Sequence, residues 1–121
     1  MFYLNSNGII TLSRGDSAEA PLFLNQGTKI CPIRYKLQGN DIVYLGVTEP
    51  NQKFEDAIIR KVYTKDNLND LGDVVVKLEP SDTVNLIPGK YYYEVKLSYY
   101  DNDGNNYINT VIKKTEFNLE D

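Results

Sequence analysis

A few short stretches of this chain carry residue types that could do chemistry. Glu55-Asp56 and Asp70 with Asp73 come nearest to paired carboxylates. General acid-base work needs two carboxyls whose pKa values are pushed apart by burial or by a neighbour across a cleft, and both pairs read as parts of polar, solvated loops. Cys31 sits in the apolar patch Ile30-Cys31-Pro32-Ile33 with no base beside it in sequence, so it reads as a small buried hydrophobe. Asp101-Asn102-Asp103-Gly104-Asn105-Asn106 imitates the opening of a calcium loop. Such a loop supplies about six to eight oxygens, with a bidentate Glu at fixed spacing, whereas here Tyr107-Ile108 runs straight into a strand. Asp103-Gly104 between alternating runs is instead the signal of a type I′ hairpin. Arg14-Gly15-Asp16 spells an integrin-recognition tripeptide, and reads as a strand-ending turn in which Gly15 supplies a positive φ and Asp16 bonds local backbone.

Composition narrows the chemistry further. The chain has no histidine, which removes the commonest general base, the commonest zinc ligand and every Ser-His or Cys-His nucleophile arrangement at once. No catalytic residue, metal ligand or cofactor site is therefore expected, and the chain reads as a non-enzyme. One cysteine cannot make an internal disulfide, so the fold has to stand on packing alone. At 121 residues that is feasible, because a chain of this size removes roughly two-thirds of its unfolded surface from water as one domain. The 13 Lys and Arg against 17 Asp and Glu are spread without blocks, and the net charge of −4 lacks the phosphate-neutralising stripe that nucleic acid requires. Met1 to Asn7 has neither a basic n-region nor an apolar run of signal-peptide or membrane-helix length, so a chain made in the cytoplasm, with no membrane partner, is expected.

The elements that must carry these residues are strands. Lys90 to Leu97 alternates with Tyr91, Tyr93, Val95 and Leu97 on one face and Lys90, Glu94 and Lys96 on the other, the period of a strand with one dry and one wet side. Pro88-Gly89 opens this strand, and a turn leading at once to a strand-borne Tyr is where immunoglobulin-like domains keep their tyrosine corner; Tyr91 and Tyr92 both fit that role. Further strands are predicted over Gly8–Leu12, Glu19–Asn25, Asp41–Glu49, Ala57–Tyr63, Asp73–Glu79 and Asn106–Leu119. Pro21 cannot donate to a ladder and places its strand at an edge or a bulge. Val43-Leu45-Val47 opposite Ile42-Tyr44-Thr48 is apolar on both sides for much of its length, which predicts a central strand. One helical turn is expected around Asp66-Asn67-Leu68, and Pro80 to Thr83 begins a turn. About seven strands at turn-punctuated spacing, with no long 3.6-period segment, predict an all-β, immunoglobulin-like antiparallel β-sandwich spanning residues 1–121.

Where such a domain would touch others is read from its aromatic and apolar outliers. Tyr92, Tyr99 and Tyr100 are placed to reach the surface, where tyrosine is enriched at protein and sugar contacts and where stray aromatics are also normal. Phe2, Tyr3 and Leu4 lie in an apolar terminus that a folded sandwich need not bury, so residues 1–7 form a candidate docking arm.

Ile10-Thr11-Leu12-Ser13-Arg14-Gly15-Asp16-Ser17, Asp41-Ile42-Val43-Tyr44-Leu45-Gly46-Val47-Thr48-Glu49-Pro50, and Leu78-Glu79-Pro80-Ser81-Asp82-Thr83 leading to Leu86-Ile87-Pro88-Gly89-Lys90-Tyr91-Tyr92-Tyr93-Glu94-Val95 together carry a resemblance over most of the chain. In their order and spacing they resemble small immunoglobulin-like virion proteins from phages of Firmicutes. The resemblance implies a structural role in the virion: a capsid decoration subunit first, or a tail or baseplate accessory subunit, with other virion proteins as partners and homo-oligomers within reach. Baseplate relatives continue into a stalk or coiled coil, and this chain stops at Asp121, which ranks decoration ahead. A carbohydrate-binding sandwich that sticks a virion to host glycans is the alternative reading.

Overall fold

The alternation in the sequence is realised by the longest strands of the computed structural model, which describes residues 3–4, 8–22, 24–27 and 32–121, with backbone alone at 3–4, 25–27 and 32–34. Phe2, Phe23 and Cys31 lie outside the described residues. The strands are β1 (Tyr3–Leu4), β2 (Ile10–Ser13), β3 (Ala18–Leu22), β4 (Asn25–Gly27), β5 (Pro32–Arg34), β6 (Ile42–Thr48), β7 (Ile59–Tyr63), β8 (Val74–Leu78), β9 (Gly89–Tyr100) and β10 (Asn106–Glu120). Seven of these have four or more residues, the number expected; β1, β4 and β5 are short additions. The helical pieces are α1 (Pro80–Thr83) and two 3-10 turns, Phe54–Asp56 and Lys65–Asn67, the second where one helical turn was expected.

Six strands form one sheet in the order β1-β2-β10-β9-β6-β7, and β3 pairs with β8 to form the facing layer. This is an all-β sandwich, in which β10-β9-β6-β7 follows the G-F-C-C′ order of the immunoglobulin-like arrangement and β3-β8 the B-E pair. Among the described residues all strand pairs are antiparallel except one: β2 runs parallel to β10, with Ile10 against Phe117 and Ser13 against Glu120.

One core fills the space between the layers. The large sheet contributes Leu12, Val43, Leu45, Val47, Tyr91, Tyr93, Val95, Leu97, Phe117 and Leu119, while the facing layer contributes Ala18, Val74, Val76 and Leu78. Each large aliphatic or aromatic side chain removed from water here stabilises the fold by about 1.5 to 3 kcal/mol before strain and entropy are counted. Tyr91, Tyr93, Val95 and Leu97 are all buried, as the period of two requires.

Three core tyrosines bring hydroxyls inside, and each meets backbone. Tyr91 donates to the Ile87 carbonyl at 2.5 Å, which makes it, rather than Tyr92, the tyrosine corner. Tyr93 donates to the Gly8 carbonyl, and the Lys77 amide donates to the Tyr63 hydroxyl at 3.2 Å. Burial pushes the Tyr63 and Tyr93 hydroxyls above the ordinary phenol pKa. The facing layer is also tied at its rim, where the Gly15 amide donates to the buried Thr83 hydroxyl at 2.9 Å and Lys61 pairs with Asp82 at 2.8 Å.

Several expectations are refined. β6 lies between β9 and β7, as its two apolar sides demanded, and its outer face is covered because the Phe54 ring lies on Gly46. A Cβ at position 46 would come within 2.8 Å of that ring, so only glycine leaves room for it. Among the described residues β3 has β8 as its single partner, so Pro21 does sit on an edge. The strand predicted to reach Asn25 ends at Leu22, because β8 offers a ladder only from Val74 to Leu78; Asn25 belongs to β4. The hairpin after Tyr100 is present but is not type I′. That turn needs positive φ at both Asp103 and Gly104, and only Gly104 has it, at +84°. The Gly104 amide bonds the Asp101 carbonyl and the Asp101 amide bonds the Asn105 carbonyl, the pattern of a type I turn followed by a glycine bulge.

Candidate partner-binding surface at the hairpin end

β9 and β10 run on together beyond their neighbours. β6 stops pairing at Ile42, opposite Ser98, and β2 pairs with β10 only from Phe117 to Glu120. Tyr99, Tyr100 and the first half of β10 therefore stand at the end of the large sheet, Tyr99 half-buried against the core and Tyr100 exposed. The loop Tyr35 to Asp41, which enters β6, meets them there.

The tip is stiff because its polar groups are used locally. Asp101 accepts from the Asp103 amide at 2.9 Å, the Asn105 amide at 2.8 Å, the Asn105 side chain at 3.1 Å and the Tyr107 hydroxyl at 3.3 Å. The Asn105 amides, first among these donors, hold its carboxyl below the ordinary range. These bonds make Asp101 a turn cap, not the first oxygen of a calcium loop. Among the described residues no three His, Cys, Asp or Glu side chains group as metal ligands.

Aromatic rings are arranged around that cap. Tyr99 and Tyr107 face each other across the hairpin and stack with centroids 5.5 Å apart and planes 22° apart. Asn109 donates to the Tyr99 hydroxyl at 3.0 Å, and the Asn106 side chain reaches the Ser98 hydroxyl at 2.9 Å. Tyr100 remains 49% exposed and Tyr107 45%, so both present ring surface while their backbones are held in a ladder.

Beside them lies a polar cleft of about 300 Å³ lined by Tyr35, Gln38, Gly39, Asn40, Asp41, Tyr100 and Asn102. Its floor is Asp41, a buried carboxylate that accepts from the Tyr35 hydroxyl and from the Gln38 amide at 3.1 Å. Burial, then the hydrogen bond and charge of Asp41, push the Tyr35 hydroxyl up to about 12. A phenol held in its protonated form beside a bonded carboxylate is a fixed donor, suited to shaping a surface.

The residues singled out in the sequence do not gather in one place. Tyr99 and Tyr100 both lie at this end but on opposite faces of β9: Tyr100 reaches the surface as expected, whereas Tyr99 is half-buried against the core. Tyr92 lies opposite Thr48 on the outer face, roughly 25 Å down the same strand at about 3.3 Å per residue, half-buried with the Lys114 ammonium 5.6 Å from its ring. Tyr3 and Leu4 form β1, which pairs with Thr11 and Ile10, so the backbone of the proposed arm is committed to its own sheet edge; Phe2 is outside the described residues. Glu55 and Asp56 are exposed on a 3-10 turn. Asp73, expected in a solvated loop, is buried: its amide bonds the Asn69 side chain at 3.0 Å and its carbonyl takes the Asn69 amide at 2.9 Å, which folds the loop over it. Arg14-Gly15-Asp16 is a turn, with Gly15 at φ +83°, the Asp16 amide on the Ser13 carbonyl and Arg14 paired to Asp121 at 2.6 Å.

Tyr35, Asp41 and Tyr107 were not foreseen. A signal for Tyr107 was present in the hairpin, but the turn type sets the pairing. A two-residue turn at Asp103-Gly104 would put Tyr100 against Tyr107, whereas the observed three-residue loop puts Tyr99 there.

An outer-face cleft of about 340 Å³ also exists, lined mainly by Tyr44, Gly46, Phe54, Arg60 and Val62. The Lys96 ammonium lies 5.0 Å from the Phe54 ring at its margin. Among the described residues no helix is long and apolar enough to cross a membrane. Comparison with protein-family models, curated proteins and solved structures gives no match to this chain.

Proposed function

We propose that this chain is a non-enzymatic structural subunit of a tailed-phage virion, made in the host cytoplasm, decorating the capsid in the first place and otherwise serving the tail or baseplate. The observation that carries the reading is the tyrosine- and asparagine-lined hairpin end. Tyr100 and Tyr107 offer large amphipathic contact area, with Tyr99 stacked behind Tyr107, and tyrosine loses little conformational entropy when it is fixed. The Asp101 cap fixes the tip in advance, which lowers the cost of ordering it against a neighbouring virion protein. The Asp41 and Asp101 carboxyls at this end are occupied in holding loops, which fits recognition better than catalysis.

The cleft beside Tyr100 favours one second reading, a glycan site. A sugar takes an aromatic ring against its flat face and side-chain amides on its hydroxyls, and Tyr100 stands next to Gln38, Asn40 and Asn102.

Particles from phage lacking this gene would be mixed with the purified domain and sedimented. Full-length protein co-sediments, while the Tyr100→Ala/Tyr107→Ala variant stays folded by circular dichroism and remains in the supernatant. A version lacking Met1 to Ser6 tests the arm: its loss of binding, with the tyrosine variant still bound, moves attachment to residues 1–7. Failure of every form to bind rejects the virion role, and binding on a glycan array in its place selects the second reading.

A further inference from the structure

The hairpin that carries the tyrosines also carries an open sheet edge. Among the described residues, β10 has β9 on one side throughout and a neighbour on its other side only at Phe117–Glu120, so Asn106 to Glu116 presents an unpaired row of backbone groups. Open edges are normally blunted by charge, proline or bulges. β3 carries Glu19 and Pro21, and β7 carries Arg60 and Lys61. β10 has bulges between Thr110 and Ile112 and between Ile112 and Thr115, and Lys113 and Lys114 lie in the second. The segment before the bulges, Asn106-Tyr107-Ile108-Asn109-Thr110, has none of these devices, and Ile108 at its middle is 61% exposed.

We infer that this segment is a self-association edge, on which a second copy of this chain pairs antiparallel through Asn106–Thr110 about a two-fold axis at Ile108. The charge pattern selects a second copy. No charged residue occurs from Gly104 to Ile112, while Asp103 precedes that run and Lys113 follows it. Antiparallel pairing centred on Ile108 sets Asn106 against Thr110, Tyr107 against Asn109 and Ile108 against its own symmetry mate. Beyond the paired segment, the antiparallel arrangement carries the hairpin loop that holds Asp103 in one copy toward the bulged stretch that holds Lys113 in the other, twice across the axis. An isologous interface requires such self-complementarity. A parallel arrangement would set Asp103 against Asp103 and Lys113 against Lys113, which like charges oppose. The bulge after Thr110, and the lysines of the second bulge beyond it, end the pairing, so it closes as a dimer and does not spread along the edge. The inference needs only the edge and stands whether or not the hairpin end binds a virion protein.

Sedimentation velocity of the full chain from about 1 µM to about 1 mM spans the affinities expected of so short an interface. The expected result is a concentration-dependent shift from monomer to dimer. Ile108→Lys, with an unchanged circular dichroism spectrum, stays monomeric throughout. Asp103→Lys and Lys113→Asp each weaken dimerisation by about tenfold, because the axis counts each exposed pair twice, and the combined swap restores it. Monomer at every concentration, a dimer indifferent to Ile108→Lys, or a charge swap that fails to restore association would each overturn the assignment.

Discussion

The two ends of β9 place the same residue type in opposite circumstances. At the end where β9 begins, Tyr91 lies under Phe117, its partner across the ladder, and spends its hydroxyl on the Ile87 carbonyl. At the end where it stops, Tyr99 and Tyr100 outrun β6: Tyr99 is only half-buried against the core and Tyr100 is exposed. Alternation alone would make Tyr99 core, since it shares a face with Leu97. What changes along the strand is the supply of neighbours, and burial follows that supply. One strand thus serves as a structural anchor at one end and as a presenting surface at the other.

The sharpest test lies at the anchored end. Phe117 is 1% exposed, and Phe117→Ala should cost about 3 to 5 kcal/mol in a denaturant titration, through lost transfer energy and the cavity left behind. Midway along the strand, Leu97→Ala should cost about 2 to 4 kcal/mol, while Lys96→Ala, on the opposite face, costs well under half of that. Equal costs would mean that the register is wrong by one residue. Tyr91→Phe removes the corner hydrogen bond and leaves the Ile87 carbonyl without it, for a loss of about 1 to 2 kcal/mol. Tyr100→Ala, at the presenting end, should change stability by only about 0.5 kcal/mol while reducing attachment. If it destabilises as much as Tyr91→Phe, the two ends do not differ in the way described.

A smaller effect at the presenting end is set by pH. Tyr35 is pushed up to about 12 by burial and by Asp41, against 10.0 for an ordinary phenol, so the folded protein holds this proton more tightly than the unfolded chain does. Its contribution is therefore complete below about pH 10 and is lost as pH rises from about 10 through 12. Tyr63 and Tyr93, also raised by burial, add to the same alkaline loss. Stability of Tyr35→Phe measured across this range should fall less steeply than that of the natural chain. A parallel fall in both would show that the Tyr35–Asp41 contact does not hold in solution.

Much of the architecture was legible because it depends on local pattern. The period of two in β9, the double-sided apolar run of β6, the positive φ at Gly15 and the edge position of Pro21 each follow from geometry that a few adjacent residues impose. The candidate surface was less legible. Tyr100 could be suspected, but Tyr35 and Asp41 come from a loop distant in sequence and join it only when β6 lies against β9. Asp73 looked solvated because its neighbours are polar, and its burial depends on Asn69 folding the loop back.

By itself, then, the sequence determined the class of fold, the dry faces of the main strands, the tyrosine corner to within one residue, and the absence of histidine chemistry. These are consequences of side-chain type and spacing along a single strand. The tertiary structure decided which end of β9 is covered, which edge of the sheet stays open, and that Tyr107 and not Ile108 stacks on Tyr99. Those outcomes rest on where neighbouring strands stop and on one residue of loop length at Asp101–Asn105, where the Asp101 carboxylate, by capping the amides of Asp103 and Asn105, favours a type I turn with a glycine bulge over the tighter alternative.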